Sequence, residues 1–177
     1  ISVGRGWSER VSRRDCIGLK LASHSTLIVA PSWVGDMVMA QSLFKTLKAS
    51  DPDCVLDVLA PAWSLPIVAR MPEVRAGIAS ETGHGEIGLR TRRRIAGELR
   101  ANNYDRAIIM PRSIKAALIP WFARIPVRTG FRGEFRYWLI NDVRGFDAEK
   151  LDQTVKRFVA LGLGWNASFG EIRDPSL

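Results

Sequence analysis

The sequence is poor in the residues that build metal centres and disulfide frameworks. It has two cysteines, Cys16 and Cys54, and two histidines, His24 and His84, among its 177 residues. The cysteines lie in unrelated contexts, and no H-E-x-x-H or paired-carboxylate spacing occurs, so neither a disulfide framework nor a metal site is indicated. We therefore expect a protein that works without a metal or another cofactor.

Long apolar runs and nucleotide-binding motifs are also missing. No stretch approaches the ~20 apolar residues that cross a bilayer, and the basic segment up to Ser23 lacks the apolar core of a signal peptide. We expect a cytoplasmic protein. The turn after the first predicted strand, Pro31 to Asp36, has one glycine and no G-x-G-x-x-G. No G-x-x-x-x-G-K-[ST] phosphate loop is present either.

Charge is abundant and unevenly placed. The formal net charge is +8, and residues 90–136 hold twelve Lys or Arg against three acidic residues. A concentrated basic region indicates an anionic partner, with nucleic acid, acidic lipid and phosphorylated saccharide as candidates. For Arg92–Arg94 the alternative is the solvated face of a helix, which needs no partner.

The apolar pattern predicts strands that alternate with helices, which is typical of a parallel sheet with helices on both faces. The predicted strands are Thr26–Ala30, Cys54–Ala60, Gly77–Ala79, Ala107–Met110 and Val127–Gly130. The predicted helices are Asp36–Ala49, Trp63–Arg70, Leu89–Asn102, Ile114–Arg124 and Leu151–Leu161. His84, in the glycine-rich loop Gly83–Gly88, either contacts a phosphate or hydroxyl group or is a plain exposed loop residue.

Asp36 stands where the first strand passes into the first helix. A carboxylate at this place can cap the helix, because it accepts backbone N–H bonds and is favoured by the helix dipole. It can also act as a general base, because the loops at the carboxyl ends of parallel strands face the ligand. The strand-turn-helix context alone favours the cap.

Several separated blocks of this sequence match the pattern of one enzyme family in the same order. The first block is P-S-W-V-G-D-M at Pro31–Met37 with A-Q-S-L after it, and the second is M-P-R-S-I-K-A-A-L-I-P at Met110–Pro120. Further matching segments are Ala60–Trp63, Arg70–Val74, Gly83–Gly85, Arg128–Glu134 with Tyr137, and Leu139–Arg144. Together these blocks resemble the ADP-heptose:lipopolysaccharide heptosyltransferases of glycosyltransferase family 9, in particular the heptosyltransferase II group. Ordered blocks are more specific than one short motif.

The resemblance implies the N-terminal, acceptor-side domain of a GT-B glycosyltransferase, a doubly wound, mostly parallel, Rossmann-like sheet. It implies transfer of heptose from ADP-heptose to the heptosyl-Kdo-lipid A inner core, with inversion and without a metal. Most of the ADP-heptose site would lie in a second domain. The lipid acceptor implies peripheral attachment to the inner membrane by surface charge.

The resemblance also implies roles for individual residues. Asp36 would be the catalytic base, and the residues implied to bind the acceptor are Ser32, Trp33, Ser113, Lys115, Arg128, Arg132 and Arg136. Trp33 either packs on a sugar ring or fills space beside the helix, and Lys115 either binds an anion or is an exposed first-turn lysine. Arg112 stands where the family usually has Asn, which puts one acceptor contact in doubt.

The expected organisation is a leader of uncertain origin at 1–23, the acceptor-side domain at 24–161 and the start of an interdomain linker at 162–177, without the donor domain. The alternative function is a non-catalytic basic module that binds polyanions. Aromatic residues alternate with arginines from Phe131 to Trp138, a pattern that can stack nucleobases. Such rings more often lie in a core or at a membrane interface, so nucleic acid is not the expected partner.

Overall fold

The computed structural model describes residues 24–80, 88–146, 149 and 151–163. The expected leader with Cys16, the loop residue His84 and the expected linker beyond Leu163 lie outside the described residues.

Six strands form one sheet in which every neighbouring pair is parallel. They are β1 Ser25–Val29, β2 Val55–Ala60, β3 Ala76–Ala79, β4 Arg106–Ile109, β5 Val127–Phe131 and β6 Asp142–Arg144. The helices are α1 Val34–Ser50, α2 Leu65–Val68, α3 Leu89–Leu99, α4 Ile114–Phe122 and α5 Thr154–Gly162, with 3₁₀ turns at Ala62–Ser64 and Arg100–Asn102.

Helices cover both faces of this sheet, which confirms the predicted doubly wound fold. One core contains Leu43 and Phe44 of α1 and Phe158 of α5. The opposite core contains Ile95 of α3 and Leu118 of α4. Buried apolar residues of the central strands alternate between the two cores, because successive strand side chains point to opposite faces.

The strand order β3-β2-β1-β4-β5-β6 reverses direction between β1 and β4. The chain moves outward from β1 to β3 and then returns to the other side of β1. The connections that leave β1 and β4 therefore diverge and open a crevice at the carboxyl ends of these strands. Such a switch point is where doubly wound sheets bind ligands.

Helix α1 begins two residues earlier than the sequence predicted. The Met37 N–H bonds the Trp33 carbonyl at 2.9 Å, so Trp33 is the N-cap and Asp36 is the third residue of the helix. No side-chain capping bond is made at this end. The interpretation of Asp36 as the N-cap is therefore wrong, although an acidic side chain in the first turn still favours the helix dipole.

Other predicted elements also differ from the structure. The predicted helix Trp63–Arg70 is a 3₁₀ turn followed by the four residues of α2, and the predicted helix Leu89–Asn102 is α3 followed by a 3₁₀ turn. Helix α4 ends at Phe122 because Arg124 has a left-handed backbone with φ 61°. Helix α5 begins only at Thr154, since Leu151 packs into the core from the segment before it. Strand β6 was missed because its three residues hold a single apolar side chain, too few to show a period.

Candidate active site

An open cleft of about 470 Å³ lies at the switch point. It is lined by Pro31, Ser32, Trp33 and Asp36 from the β1–α1 connection, by Met110, Pro111 and Arg112 after β4, and by Phe131, Phe146, Thr154, Arg157 and Phe158. Two turns distant in sequence thus share one wall because their strands are neighbours in the sheet.

Asp36 is the one acidic residue among those that line the cleft. Its side chain is half-buried. Within the described part of the chain, its carboxylate has no hydrogen-bond or ion-pair partner. A carboxylate that the fold does not use is available to accept a proton from a bound hydroxyl group.

Ser32 and Trp33 accompany Asp36 on the cleft wall and are both exposed. The Trp33 side chain is 78% exposed, so its ring does not fill space beside the helix. The indole presents an apolar face to whatever enters the cleft.

Ser113 and Lys115 begin helix α4 beside the cleft, and neither contributes to its lining. The Ser113 hydroxyl accepts a 3.4 Å bond from the Ala116 N–H and so caps the helix. The Lys115 carbonyl accepts a 2.9 Å bond from the guanidinium of Arg92. Arg92 is buried, so Arg92–Arg94 is not simply a solvated face.

The three arginines after β5 have different surroundings. Arg136 is 1% exposed and donates to the carbonyls of Pro111 at 2.6 Å, Ser113 at 3.1 Å and Phe131 at 2.8 Å. Burial, and then the nearby charge of Arg112, lower the pKa of Arg136 to about 10, which leaves it charged at neutral pH. Arg136 therefore joins the end of β5 to the turn after β4 and is not free to contact a ligand.

Arg128 is also used by the fold. Its guanidinium donates to the carbonyls of Leu139 and Ile125 at 2.7 and 2.6 Å, and burial lowers its pKa. Arg132, in contrast, is exposed and donates to the Tyr137 hydroxyl at 2.6 Å. The expectation that all three arginines reach the acceptor is corrected for Arg136, which is buried. Arg128 is half-buried and Arg132 is exposed, so their contact with the acceptor stays a prediction.

Arg132 and Tyr137 line a second depression of about 680 Å³. Arg112 and Phe146 line both this depression and the first cleft, so the two spaces adjoin. Sequence reasoning missed Phe146 and Arg157 because they follow the family blocks and belong to no motif. The only sequence feature that pointed to Arg157 was its charge on the predicted last helix, and solvent-exposed helices often carry arginine as well.

No group of three or more His, Cys, Asp or Glu side chains within the described ranges is arranged to hold a metal ion. In the same part of the chain, no helix has the length and apolar character to cross a membrane.

Comparison with known proteins gives a family match for part of the chain. The sequence model of glycosyltransferase family 9 (heptosyltransferase) matches residues 92–163. The match includes β4, the turn with Arg112, β5 and helix α5 with Arg157.

Curated relatives match a longer part of the chain than the family model does. Lipopolysaccharide heptosyltransferase 2 of Salmonella typhimurium is 53% identical over 135 residues, which are 76% of this chain and 39% of the relative. Lipooligosaccharide heptosyltransferase 2 of Haemophilus influenzae is 51% identical over 137 residues, 76% of this chain and 38% of the relative. The chain thus spans about two fifths of the length of these curated relatives.

Solved structures of similar fold come from the same family of enzymes. ADP-heptose lipopolysaccharide heptosyltransferase II of E. coli superposes with a TM-score of 0.76 at 45% identity, over 86% of this chain and 45% of that chain. E. coli heptosyltransferase WaaC with ADP-2-deoxy-2-fluoro heptose has a TM-score of 0.65 at 19% identity, over 78% of this chain and 47% of that one. At that identity the second likeness concerns the fold alone.

Proposed function

We propose that this chain forms the acceptor-side half of an inverting heptosyltransferase of the heptosyltransferase II type. The enzyme would transfer L-glycero-D-manno-heptose from ADP-heptose to the heptosyl-Kdo-lipid A inner core of lipopolysaccharide. The observation that carries this proposal is Asp36, a carboxylate without a described partner at the switch-point cleft. The opposite turn of this cleft, with Arg112, lies in the region that matches the family 9 model. The names of the relatives supply the sugar and the pathway step.

In the proposed reaction Asp36 is the general base. The acceptor hydroxyl oxygen attacks the anomeric carbon of the heptose while its proton passes to the Asp36 carboxylate. The bond between that carbon and the ADP oxygen breaks, and its electron pair leaves with ADP. Attack from the face opposite to ADP inverts the configuration. A positioned base of this kind contributes about 10²–10⁴-fold to the rate.

In this proposal residues 24–161 bind the acceptor, and most of the ADP-heptose site lies in a second domain. Residues from 162 onward would begin the linker between the domains. The share of the relatives that this chain spans supports this arrangement. Gly162 is still the last residue of helix α5, so the connection would begin at Leu163.

We also place the enzyme at the cytoplasmic surface of the inner membrane, where a lipid-linked acceptor is accessible. Two exposed tryptophans, Trp121 and Trp138, contact each other with ring centroids 5.5 Å apart. Next to Trp121, the guanidinium of Arg93 lies 5.0 Å from the Phe122 ring centroid. Amphipathic rings beside basic groups suit an anionic lipid surface.

A chimera tests the proposal: this chain up to Leu163 joined to the C-terminal half of E. coli heptosyltransferase 2. We expect it to transfer heptose from ADP-heptose to heptosylated Kdo-lipid A, and the chain alone to transfer none. A chimera that binds ADP-heptose but transfers nothing would contradict the proposal. Tighter binding of the chain to single-stranded nucleic acid than to core saccharide would favour the rival polyanion-binding module.

A further inference from the structure

Two guanidinium groups lie over one phenyl ring at the junction of the two depressions. The ring is that of Phe146, and its centroid is 5.0 Å from the Arg112 guanidinium carbon and 5.3 Å from that of Arg157. Phe131 braces the ring in an edge arrangement with centroids 5.6 Å apart. Arg112 follows β4, Phe146 follows β6 and Arg157 lies on α5, so the fold itself assembles this cluster.

Backbone carbonyls hold both arginines in place. The Arg157 Nε donates to the Leu151 carbonyl at 2.8 Å and one terminal nitrogen donates to the Asp152 carbonyl at 3.3 Å. The Arg112 Nε donates to the Arg132 carbonyl at 3.3 Å. Part of the side-chain entropy that binding would cost is therefore already lost.

Close packing of two turns supports the Arg112 side of the cluster. A Cβ atom at Gly133 would come within 2.6 Å of the Arg112 carbonyl oxygen, so glycine lets the turn after β5 lie directly against the turn after β4. Arg136 also holds the turn after β4, because its guanidinium donates to the Pro111 and Ser113 carbonyls. The position of Arg112 is thus set by the fold and not by chance on a loose surface.

No carboxylate of the described residues neutralises the charge of Arg112 or Arg157. Among the described residues, neither guanidinium has a carboxylate within ion-pair distance, and the Nη1 atom of each donates to no described group. Arg112 also lies near enough to Arg136 to contribute, after burial, to lowering the pKa of Arg136. Among the described residues these arginines outnumber the nearby acids, Asp36 and Glu134, so this part of the cleft carries a net positive charge.

We propose that Arg112 and Arg157, held on Phe146, form a site for an oxyanion, either phosphate or carboxylate, that a sugar substrate carries near the hydroxyl group presented to Asp36. Planar guanidinium forks suit such groups because they donate two parallel hydrogen bonds. All three side chains line the cleft that holds Asp36. The link to a sugar substrate rests on the heptosyltransferase function proposed above, but anion binding itself does not.

Titration of this chain with inorganic phosphate tests the site, with the Arg Nε–H signals followed by NMR. We expect saturable shifts of the Arg112 and Arg157 signals, and a loss of affinity of about tenfold or more in Arg112→Gln and in Arg157→Gln. Arg157→Lys keeps the charge without the fork and should lose less than Arg157→Gln. Arg124→Gln is the matched control, since Arg124 is exposed at the opposite, amino-terminal edge of β5.

Absence of saturable shifts in a wild-type chain with its native melting temperature would overturn the site. So would wild-type affinity in Arg112→Gln and Arg157→Gln. If Arg157→Gln fails to fold, Arg112→Gln and Arg157→Lys decide the question.

The chimera distinguishes the two sources of the oxyanion. Arg112→Gln and Arg157→Gln are introduced into the chimera and compared with the unchanged chimera. A higher KM for the lipid A-core acceptor at an unchanged KM for ADP-heptose would assign the site to the acceptor. The reverse would assign it to the diphosphate of the donor. Unchanged values for both would overturn the substrate link. A chimera without transferase activity would contradict the proposed function, while the phosphate titration would still decide the anion site.

Discussion

A charged group buried in the sheet is paired within the protein, whereas the charged groups of the cleft have no ion-pair partner among the described residues. The Asp57 carboxylate on β2 is 1% exposed and accepts hydrogen bonds from Arg75 and from the Tyr104 hydroxyl. Asp36, Arg112 and Arg157 line the cleft without such pairing in the described part of the chain. The first group is needed for folding, and the second is left available for a ligand.

The same contrast divides the basic region between residues 90 and 136. The guanidinium groups of Arg92, Arg128 and Arg136 donate to backbone carbonyls and join neighbouring segments. Those of Arg112 and Arg132 remain at the surface of the two depressions. A high local charge therefore does not by itself measure a binding surface, because about half of such arginines can be part of the architecture.

The largest stability effect is expected at the buried network. Asp57→Ala removes a buried carboxylate and leaves two donors without their acceptor, which costs 3–5 kcal/mol in fully buried pairs. Arg75 is half exposed and can be hydrated, so we expect about 3 kcal/mol by urea unfolding. Asp53→Ala, at an exposed aspartate in the turn before β2, is the control and should change stability by less than about 0.5 kcal/mol. Equal losses of stability in Asp57→Ala and Asp53→Ala would contradict a stabilising role of the buried Asp57 network.

A smaller loss is expected at Arg136. Arg136→Met keeps most of the apolar bulk but leaves the carbonyls of Pro111, Ser113 and Phe131 without their donor. Part of that loss is offset because no charge is then buried, so we expect about 2 kcal/mol. Arg132→Met in the same turn is the matched control and should cost less than about 0.5 kcal/mol. If Arg132→Met is the more damaging, the assignment of structural and surface roles is reversed.

A pH-dependent effect is expected at Tyr104. Burial, and then its hydrogen bond to Asp57, raise the pKa of Tyr104 above its usual value near 10. The unfolded chain then loses this proton before the folded chain does, so stability falls as the pH rises above about 10. The slope is at most about 1.4 kcal/mol per pH unit. Urea unfolding between pH 8 and 11 measures it, and Tyr104→Phe should remove this contribution. A Phe variant with the same alkaline slope as the wild type would contradict the assignment.

The central strands and long helices could be predicted from the sequence because burial makes the strands continuous apolar runs and gives the helices an apolar period. Ile28 lies in such a run, Leu43 lies on such a period, and both are buried as expected. The three residues of β6 and the exact start of α1 could not be predicted, since pairing and backbone bonding decide them. Arg136 and Arg157 show the same limit for the site. Only the three-dimensional fold decides which guanidinium is fully buried, as in Arg136, and which lines the cleft with Asp36, as in Arg157.

Asp36→Asn should change stability less than Asp57→Ala or Arg136→Met does, and it should have the largest effect on turnover. Asp36→Asn removes the base but no described hydrogen bond, so only the helix-dipole contribution is lost. We expect a destabilisation below about 1 kcal/mol.

Turnover and melting of the chimera and its Asp36→Asn variant, measured on the same preparations, test the central claim most directly, with Asp53→Asn as the charge control. The account predicts a 10²–10⁴-fold loss of turnover at a nearly unchanged melting temperature. An Asp36→Asn variant that turns over at close to the wild-type rate would contradict it.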